Sequence, residues 1–173
     1  LYAEGDNARV VAVIGARGGV GASTLAYNLA WSMAERQQVG AALLDFDVAF
    51  GVAALHAPAE SNLSAADLLN APERLDQPYD GASRLRLLTA PANLQADFDP
   101  SADAAADLIT RVRRTSPFVV VDLPHAWNSW VKQTLIAADD VIIVAGPDLA
   151  SLRNAEHMMH ILRGARGADA CGR

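Results

Sequence analysis

Short apolar runs alternate with longer amphipathic stretches along the chain, and this alternation constrains the fold more than any other feature of the sequence. Each run is bounded by polar residues, glycine or proline and is apolar on both faces, which is typical of strands buried on both sides. The runs are VVAVIG from Val10, AALLDFD from Ala41, LRLLTA from Leu85, FVVVDLP from Phe118 and DVIIVAG from Asp140. Because helical candidates separate them, the sequence predicts an α/β fold with a doubly wound, mostly parallel sheet flanked by helices.

The helical candidates are the stretches STLAYNLAWSMAERQ, PSADAAADLITRVRRT, SWVKQTLIAA and LASLRNAEHMMHILRGA. In the first, Leu25, Leu29 and Met33 recur every four residues and predict its buried face. In the second, Ser101 is the predicted N-cap. A loop-rich passage spans residues 58–78, and no further strand is visible after the last helix. We therefore expect a sheet whose C-terminal strands are missing.

The bulk composition narrows the class of protein. A length of 173 residues predicts a single domain over residues 1–173. The net charge is −6 and Lys132 is the only lysine, which argues against direct binding of nucleic acid. The single cysteine, Cys171, excludes a disulfide within the chain and fits a reducing compartment. No apolar run approaches the ~20 residues of a transmembrane segment.

The start of the sequence adds a further expectation. It shows no signal peptide and does not begin with methionine. We therefore expect a piece of a longer, cytoplasmic polypeptide.

The segment GARGGVGAST, at the end of the first predicted strand, has the composition of a phosphate-binding loop. Gly18, Gly19 and Gly21 allow backbone angles that are closed to other residues, so that successive N–H groups can curve inward around anionic oxygens. Ser23 and Thr24 then begin a helix, whose positive end attracts phosphate. A serine at this place can bind Mg²⁺ through its hydroxyl. The alternative interpretation is that the segment is only a tight turn between a strand and a helix.

Acidic residues end two other predicted strands. Asp45 and Asp47 lie two residues apart in LLDFDVAFG, and Asp122 follows an apolar run in VVVDLPH. Because ligands of such sheets bind at the carboxyl ends of the strands, these acids are expected to gather around the glycine loop. Mg²⁺ prefers a few oxygen ligands together with water and phosphate, so Ser23, Asp45 and Asp122 are candidate metal ligands. Taken singly, each acid is also compatible with a solvated strand end or a helix cap.

A dinucleotide-binding site is a rival interpretation of the same segment. Gly15, Gly19 and Gly21 fit the G-x-x-x-G-x-G pattern of NAD(P)-binding oxidoreductases, and Asp45 is placed to bind a ribose hydroxyl. Those enzymes need a tyrosine four residues before a lysine, but an asparagine stands four residues before Lys132. The paired acids and the Asp-Leu-Pro turn also have no role in that interpretation.

The loop resembles the deviant Walker A phosphate loop of the ParA/MinD ATPases, K-G-G-V-G-K-[ST]. Arg17 stands at the place of the family's signature lysine, Ala22 at that of the phosphate-loop lysine, and Ala16 at that of the first glycine of the general motif. DFD and VVVDLP resemble the family's acidic motifs. Together with LLTAPANL and the stretch from DLPHAW onward, they are similar to the CpaE/TadZ pilus-assembly branch, a resemblance that covers nearly the whole chain.

The resemblance implies a P-loop NTPase-like fold with ATP and Mg²⁺ as ligands. It places Mg²⁺ at Ser23 and Asp122 and the positioning of attacking water at Asp47. It implies a nucleotide-linked homodimer at a cell pole near the inner membrane, with the pilus secretion ATPase or other parts of the Tad/Flp machinery as partners. The implied nucleotide-binding residues are Arg17, Gly18, Gly19, Val20, Gly21, Ala22, Ser23 and Thr24.

The alanine at position 22 decides what activity we expect. It removes a charge that normally reaches the phosphates, and phosphoryl transfer depends mainly on positioning and charge neutralisation. We expect nucleotide binding with weak hydrolysis at most; an active ATPase of the partition type is the alternative. His125, Trp127 and Trp130 follow the Asp122 strand and are interpreted either as a switch segment or, for the tryptophans, as core aromatics.

Overall fold

The predicted α/β architecture is confirmed in the computed structural model, which describes residues 8–47, 63–71, 74–75, 83–89 and 99–167. The strands are β1 (Arg9–Gly15), β2 (Ala41–Asp45), β3 (Leu63–Ser64), β4 (Leu85–Thr89), β5 (Phe118–Leu123) and β6 (Asp140–Val144). The helices are α1 (Ala22–Trp31), α2 (Ala65–Asn70), α3 (Ala102–Thr115), α4 (Ser129–Ala137) and α5 (Leu149–Arg166). A π-helical turn, Ser32–Arg36, extends α1.

The six described strands form one parallel sheet in the order β3-β4-β2-β5-β1-β6. β1 lies between β5 and β6, and β5 lies between β1 and β2. The carboxyl ends of β1, β2 and β5 are therefore adjacent, which is the condition for a common site at this edge. β3 and α2 fall within the loop-rich passage and were not predicted from the sequence.

Two apolar clusters pack on the two faces of the sheet, and α1 belongs to the smaller one. The prediction for its buried face was wrong at Leu25, which is exposed, while Leu29 and Met33 are only partly buried. The fully buried residues of this helix and its π-helical extension are instead Ala26, Ala30 and Ala34. Because alanine side chains are small, the helix axis can approach the sheet closely.

Trp130 confirms the prediction of a core aromatic. Its ring is buried and meets the Phe46 ring edge-on, with 5.4 Å between the centroids. Its indole N–H donates a hydrogen bond to Asp99 Oδ1 at 3.0 Å, so the polar atom of this large ring is satisfied. Trp127 is half-buried and packs against the same cluster.

The predicted cap of α3 is also confirmed, since Ser101 Oγ accepts the N–H of Ala104 at 3.2 Å.

Within the described part of the chain, no helix is both long enough and apolar enough to cross a bilayer. Residues 168–173 lie outside the described residues, and the expectation of missing C-terminal strands stays a prediction.

Candidate functional site: a glycine loop beside buried carboxylates

The glycine loop leaves β1 at Gly15 and enters α1 at Ala22. Two of its glycines have positive φ, 77° at Gly19 and 89° at Gly21, and Gly21 is the N-cap of α1. Gly18 has no such backbone angle, so its predicted conformational role is not needed. Because side chains are rarely tolerated at positive φ, the path of the loop depends on Gly19 and Gly21.

Gly15 is required for a different reason, which is close packing. A Cβ atom at Gly15 would lie 2.8 Å from the carbonyl oxygen of Arg17 and 3.0 Å from Val20 Cγ2. The loop therefore folds back over the end of β1, and no side chain fits beneath it. This return forms the floor of a cavity of about 290 Å³.

The cavity is lined by the predicted loop residues and by two residues that follow strands. Asp47 follows β2 and His125 follows β5, and both line it. Asp45 and Asp122 do not line it. The lining residues are Gly15, Arg17, Gly18, Gly19, Val20, Gly21, Ala22, Ser23, Thr24, Asp47, Leu123 and His125.

Asp122 lies buried below the cavity and accepts a side-chain hydrogen bond from Ser23. Burial raises the pKa of this carboxyl to about 6; the Ser23 hydrogen bond opposes the rise and the negative charge of Asp47 adds to it. Among the described residues, Oδ1 of Asp122 has no hydrogen-bond partner. A buried carboxylate oxygen of this kind beside a serine hydroxyl fits a hard cation such as Mg²⁺.

Asp45 and Asp47 have different surroundings, although they are only two residues apart. Asp45 is fully buried at the end of β2, and its Oδ1 accepts the backbone N–H of Asp47 at 2.9 Å. Asp47 lies beyond the strand, half-buried at the cavity. The structure therefore places Asp47 where it can meet a ligand and Asp45 where it holds the turn that carries Asp47. A metal-binding role for Asp45 stays a prediction.

The protein groups at this site are too few to enclose a metal ion. No set of three or more His, Cys, Asp or Glu side chains in the described residues is arranged to hold one. Mg²⁺ normally keeps several waters and shares its remaining positions between one or two carboxylates and substrate phosphates. Ser23 and Asp122 fit that pattern, in which the phosphates of a nucleotide complete the coordination.

Arg17 is engaged within its own chain. Its Nε donates to Asp148 Oδ2 at 2.9 Å, and its Nη1 donates to the carbonyl oxygen of Gly18 at 3.1 Å. Asp148 is the N-cap of α5 and also accepts the N–H of Ser151. That backbone hydrogen bond, followed by the Arg17 guanidinium, lowers the pKa of Asp148. The ion pair ties the glycine loop to the start of α5.

His125 is a site residue whose role the sequence left open. Its Nδ1 lies 2.9 Å from the carbonyl oxygen of Gly15. The contact arises because β5 and β1 are paired, with Leu123 opposite Ile14, so that the residues after both strands meet. No sequence motif marks this contact, and only the order of the strands reveals it.

A larger groove, of about 720 Å³, runs along the edge strand β6. Its lining is mostly apolar, includes Arg9, Arg163, Arg166, Asp139 and Asp140, and contains none of the glycine loop. The glycine loop, Ser23 and Asp47 line the smaller cavity instead.

Comparisons with known proteins show the family and support the fold. Residues 8–168 match the AAA_31 family, an AAA domain. A MinD-like septum site-determining protein of Chlorella vulgaris is 28% identical over 160 residues, which cover 89% of this chain and 56% of that protein. A ParA family ATPase of Chlorobium tepidum is 25% identical, with a TM-score of 0.74 over 88% of this chain and 67% of that one.

A structure of MinD with Mg-ADP from Pyrococcus horikoshii shares the fold. Its TM-score is 0.71 at 17% identity, over 91% of this chain and 66% of that one. The chain spans less than two thirds of the length of the curated relatives that it matches, for example 58% of a MinD-like protein of Emiliania huxleyi.

Proposed function

Because the chain belongs to the AAA_31 family and is of the ParA/MinD type, we propose that it binds ATP with Mg²⁺ in the glycine-loop cavity and acts as a nucleotide-dependent dimeric switch. The observation that carries this proposal is the arrangement of Ser23 and Asp122 below the loop. A buried carboxyl with a raised pKa and an oxygen lacking a hydrogen-bond partner is costly in the unliganded protein, and a cation would offset that cost.

Each residue has a distinct task in this proposal. The backbone N–H groups of the turn through Gly19 and Gly21 bind phosphate oxygens, helped by the positive end of α1. Ser23 and Asp122 hold the Mg²⁺ ion, which when bound would neutralise phosphate charge. Asp47, which lines the same cavity, orients a water molecule toward the terminal phosphate.

Hydrolysis is proposed to be slow because Ala22 offers no cation to the phosphates. Positioned positive charge is a main source of rate in phosphoryl transfer, whereas binding can rest on the backbone cradle and Mg²⁺. The protein would then hold its nucleotide for a long time, as a switch does. Rapid steady-state release of phosphate would instead favour the active partition-type ATPase.

Calorimetry with a non-hydrolysable ATP analogue and Mg²⁺ tests the binding site. Gly21→Val places a branched side chain at a φ of 89° and should abolish the binding heat. Gly164→Val is the matched control, because a Cβ atom at Gly164 on α5 meets no atom within 4 Å and its φ is not positive. Equal binding by both variants and the wild type would refute the assignment of the cavity.

We further propose that the switch serves assembly of a Tad/Flp pilus secretion machine, at a cell pole near the inner membrane. The support is the resemblance of RGGVGAST and DLPHAW to the CpaE/TadZ branch. A fluorescent fusion of the full-length protein should form polar foci in the native host, and Asp122→Asn should disperse them. Co-purification with the pilus secretion ATPase should require nucleotide; uniform fluorescence and no recovered secretion ATPase would exclude this role.

A further inference from the structure

The cavity proposed to hold phosphate has a shortage of available positive charge. Ala22 contributes none, and Arg17 is engaged by Asp148 and by the carbonyl oxygen of Gly18. Asp47 adds a negative charge to the lining. Among the lining residues that the structure describes, His125 is the other side chain that can become a cation.

We propose that His125 donates a hydrogen bond from Nε2 to the phosphate chain of the bound nucleotide and so supplies the contact that Ala22 lacks. This inference rests on the proposed binding of nucleotide in the same cavity. It assigns a binding role to His125, which follows β5 and lines the same cavity as the glycine loop. His125 would make the contact with phosphate that a lysine of the loop makes, although it lies elsewhere in the sequence.

The hydrogen bond to Gly15 fixes which ring nitrogen is available. A carbonyl oxygen only accepts hydrogen bonds, so Nδ1, 2.9 Å from the Gly15 oxygen, must carry a proton. The ring is thereby anchored to the residue at which the glycine loop begins. Nε2 is the remaining polar atom of a side chain that lines the cavity.

The contact with phosphate has a consequence for proton balance. Phosphate oxygens of a nucleotide accept hydrogen bonds, and Nε2 can donate to them only when it also carries a proton. With Nδ1 already protonated, the ring must then be the imidazolium cation. In the bound state that we propose, the ring therefore carries one proton more than a neutral imidazole. The charged groups that line the cavity together with His125 are Arg17 in the loop and Asp47 after β2. Asp122 precedes His125 by three residues on β5 and lies outside the lining.

Two substitutions separate this role from a purely structural one. His125→Asn keeps an amide N–H near the position of Nδ1, so it can still donate to Gly15 while removing Nε2. His125→Ala removes both nitrogens. His157→Asn on α5 is the control, because His157 is exposed and does not line the cavity.

The measurement is calorimetry of the intact protein with a non-hydrolysable ATP analogue. It is run with Mg²⁺ and with EDTA, in two buffers of different ionisation enthalpy. We expect His125→Asn and His125→Ala both to bind on the order of tenfold more weakly, as for loss of a hydrogen bond to a charged group. Proton uptake should fall in both variants relative to the wild type and His157→Asn, while His125→Asn keeps the wild-type melting temperature.

The outcomes distinguish this inference from the proposed function. If the wild type binds nucleotide and His125→Asn binds equally well with the same proton uptake, His125 only braces Gly15 and the inference is overturned. If the wild type binds no nucleotide in either condition, the proposed function fails and this inference fails with it.

Discussion

Asp45 and Asp122 lie at the same level on the adjacent strands β2 and β5, so that two buried carboxyl groups are neighbours at the end of the sheet. The backbone continues this link, because Phe46 N–H donates to the carbonyl oxygen of Asp122 at 2.9 Å. The sheet therefore holds acidic groups in a place where water cannot stabilise their charge. Buried carboxyl groups lower the stability of the folded protein, and such groups are typical of functional sites.

Removing the Asp122 carboxylate should stabilise the unliganded protein at neutral pH. Its pKa is about 6 when folded, against ~3.9 for an unfolded aspartate, so the folded state binds more protons between these values. Stability therefore falls as the pH rises from about 4 to about 6 and stays low above that. Asp122→Asn should remove this fall and gain up to roughly 3 kcal/mol at pH 7.5, since each pKa unit corresponds to ~1.4 kcal/mol.

Urea unfolding of both proteins at several pH values between 4 and 7.5 measures the effect. Glu156→Gln is the control, because Glu156 is an exposed acid on α5, and this variant should keep the fall in stability between pH 4 and pH 6. An Asp122→Asn variant that is less stable than the wild type at pH 7.5 would contradict the raised pKa.

In the same Asp122→Asn variant, Mg²⁺ should no longer strengthen nucleotide binding.

The strands β1, β2, β4 and β5 could be predicted from the sequence because they are buried on both faces almost throughout. Runs such as those beginning at Ala41 and Phe118 are apolar at every position apart from the strand-end acids, and no other element combines that length with that pattern. β3 escaped prediction because its two residues, Leu63 and Ser64, are too few to show a period. The buried face of α1 was misjudged because alanines carry it, and they are less conspicuous in a sequence than leucines.

The candidate site was predictable only where it follows from the ends of neighbouring strands. Asp47 and the glycine loop reach one cavity because the carboxyl ends of parallel strands meet at one edge. The contact between His125 and Gly15 joins residues 110 apart in the chain. It depends on β5 lying next to β1, and strand order cannot be read from the periodicity of single strands.

Lysine at position 22 should speed hydrolysis. Ala22 is the first residue of α1 and lines the cavity, so a lysine there begins beside the phosphate site. Ala22→Lys should raise the rate of phosphate release by roughly tenfold or more, if Asp47 and Ser23 are placed for chemistry. Ala22→Met has a similar length without the charge and should not. A wild-type rate equal to that of Ala22→Lys would show that Ala22 does not limit the reaction.

Trp130 should contribute to stability through both its ring and its N–H. Trp130→Phe keeps an aromatic ring against Phe46 but removes the hydrogen bond to Asp99, at an expected cost of about 1 kcal/mol. Trp130→Ala should cost about 3–5 kcal/mol, because it leaves a cavity in the core. Trp31→Phe is the control, since Trp31 is exposed. Equal losses in the free energy of unfolding for Trp130→Phe and Trp130→Ala, measured in urea, would contradict these separate contributions of the ring and its N–H.

Breaking the Arg17–Asp148 ion pair should change assembly more than it changes folding. Both side chains are partly exposed, at 47% and 40%, so the pair is screened by solvent and can exchange readily. Asn is as good an N-cap as Asp, so Asp148→Asn should leave α5 intact while it releases the guanidinium. If Arg17 then reaches the nucleotide of a second subunit, Asp148→Asn should form dimers with Mg²⁺ and ATP at a lower protein concentration than the wild type.

Light scattering with and without Mg²⁺ and ATP tests this role for Arg17. Arg17→Ala should weaken the dimer more than it weakens nucleotide binding, because the lost contact would lie between subunits. Linkage requires the converse as well: a ligand that promotes the dimer must bind more tightly to the dimer than to the monomer. If the wild type, Arg17→Ala and Asp148→Asn all dimerise equally with and without nucleotide, Arg17 does not bridge subunits, and the ion pair with Asp148 only braces the glycine loop against α5.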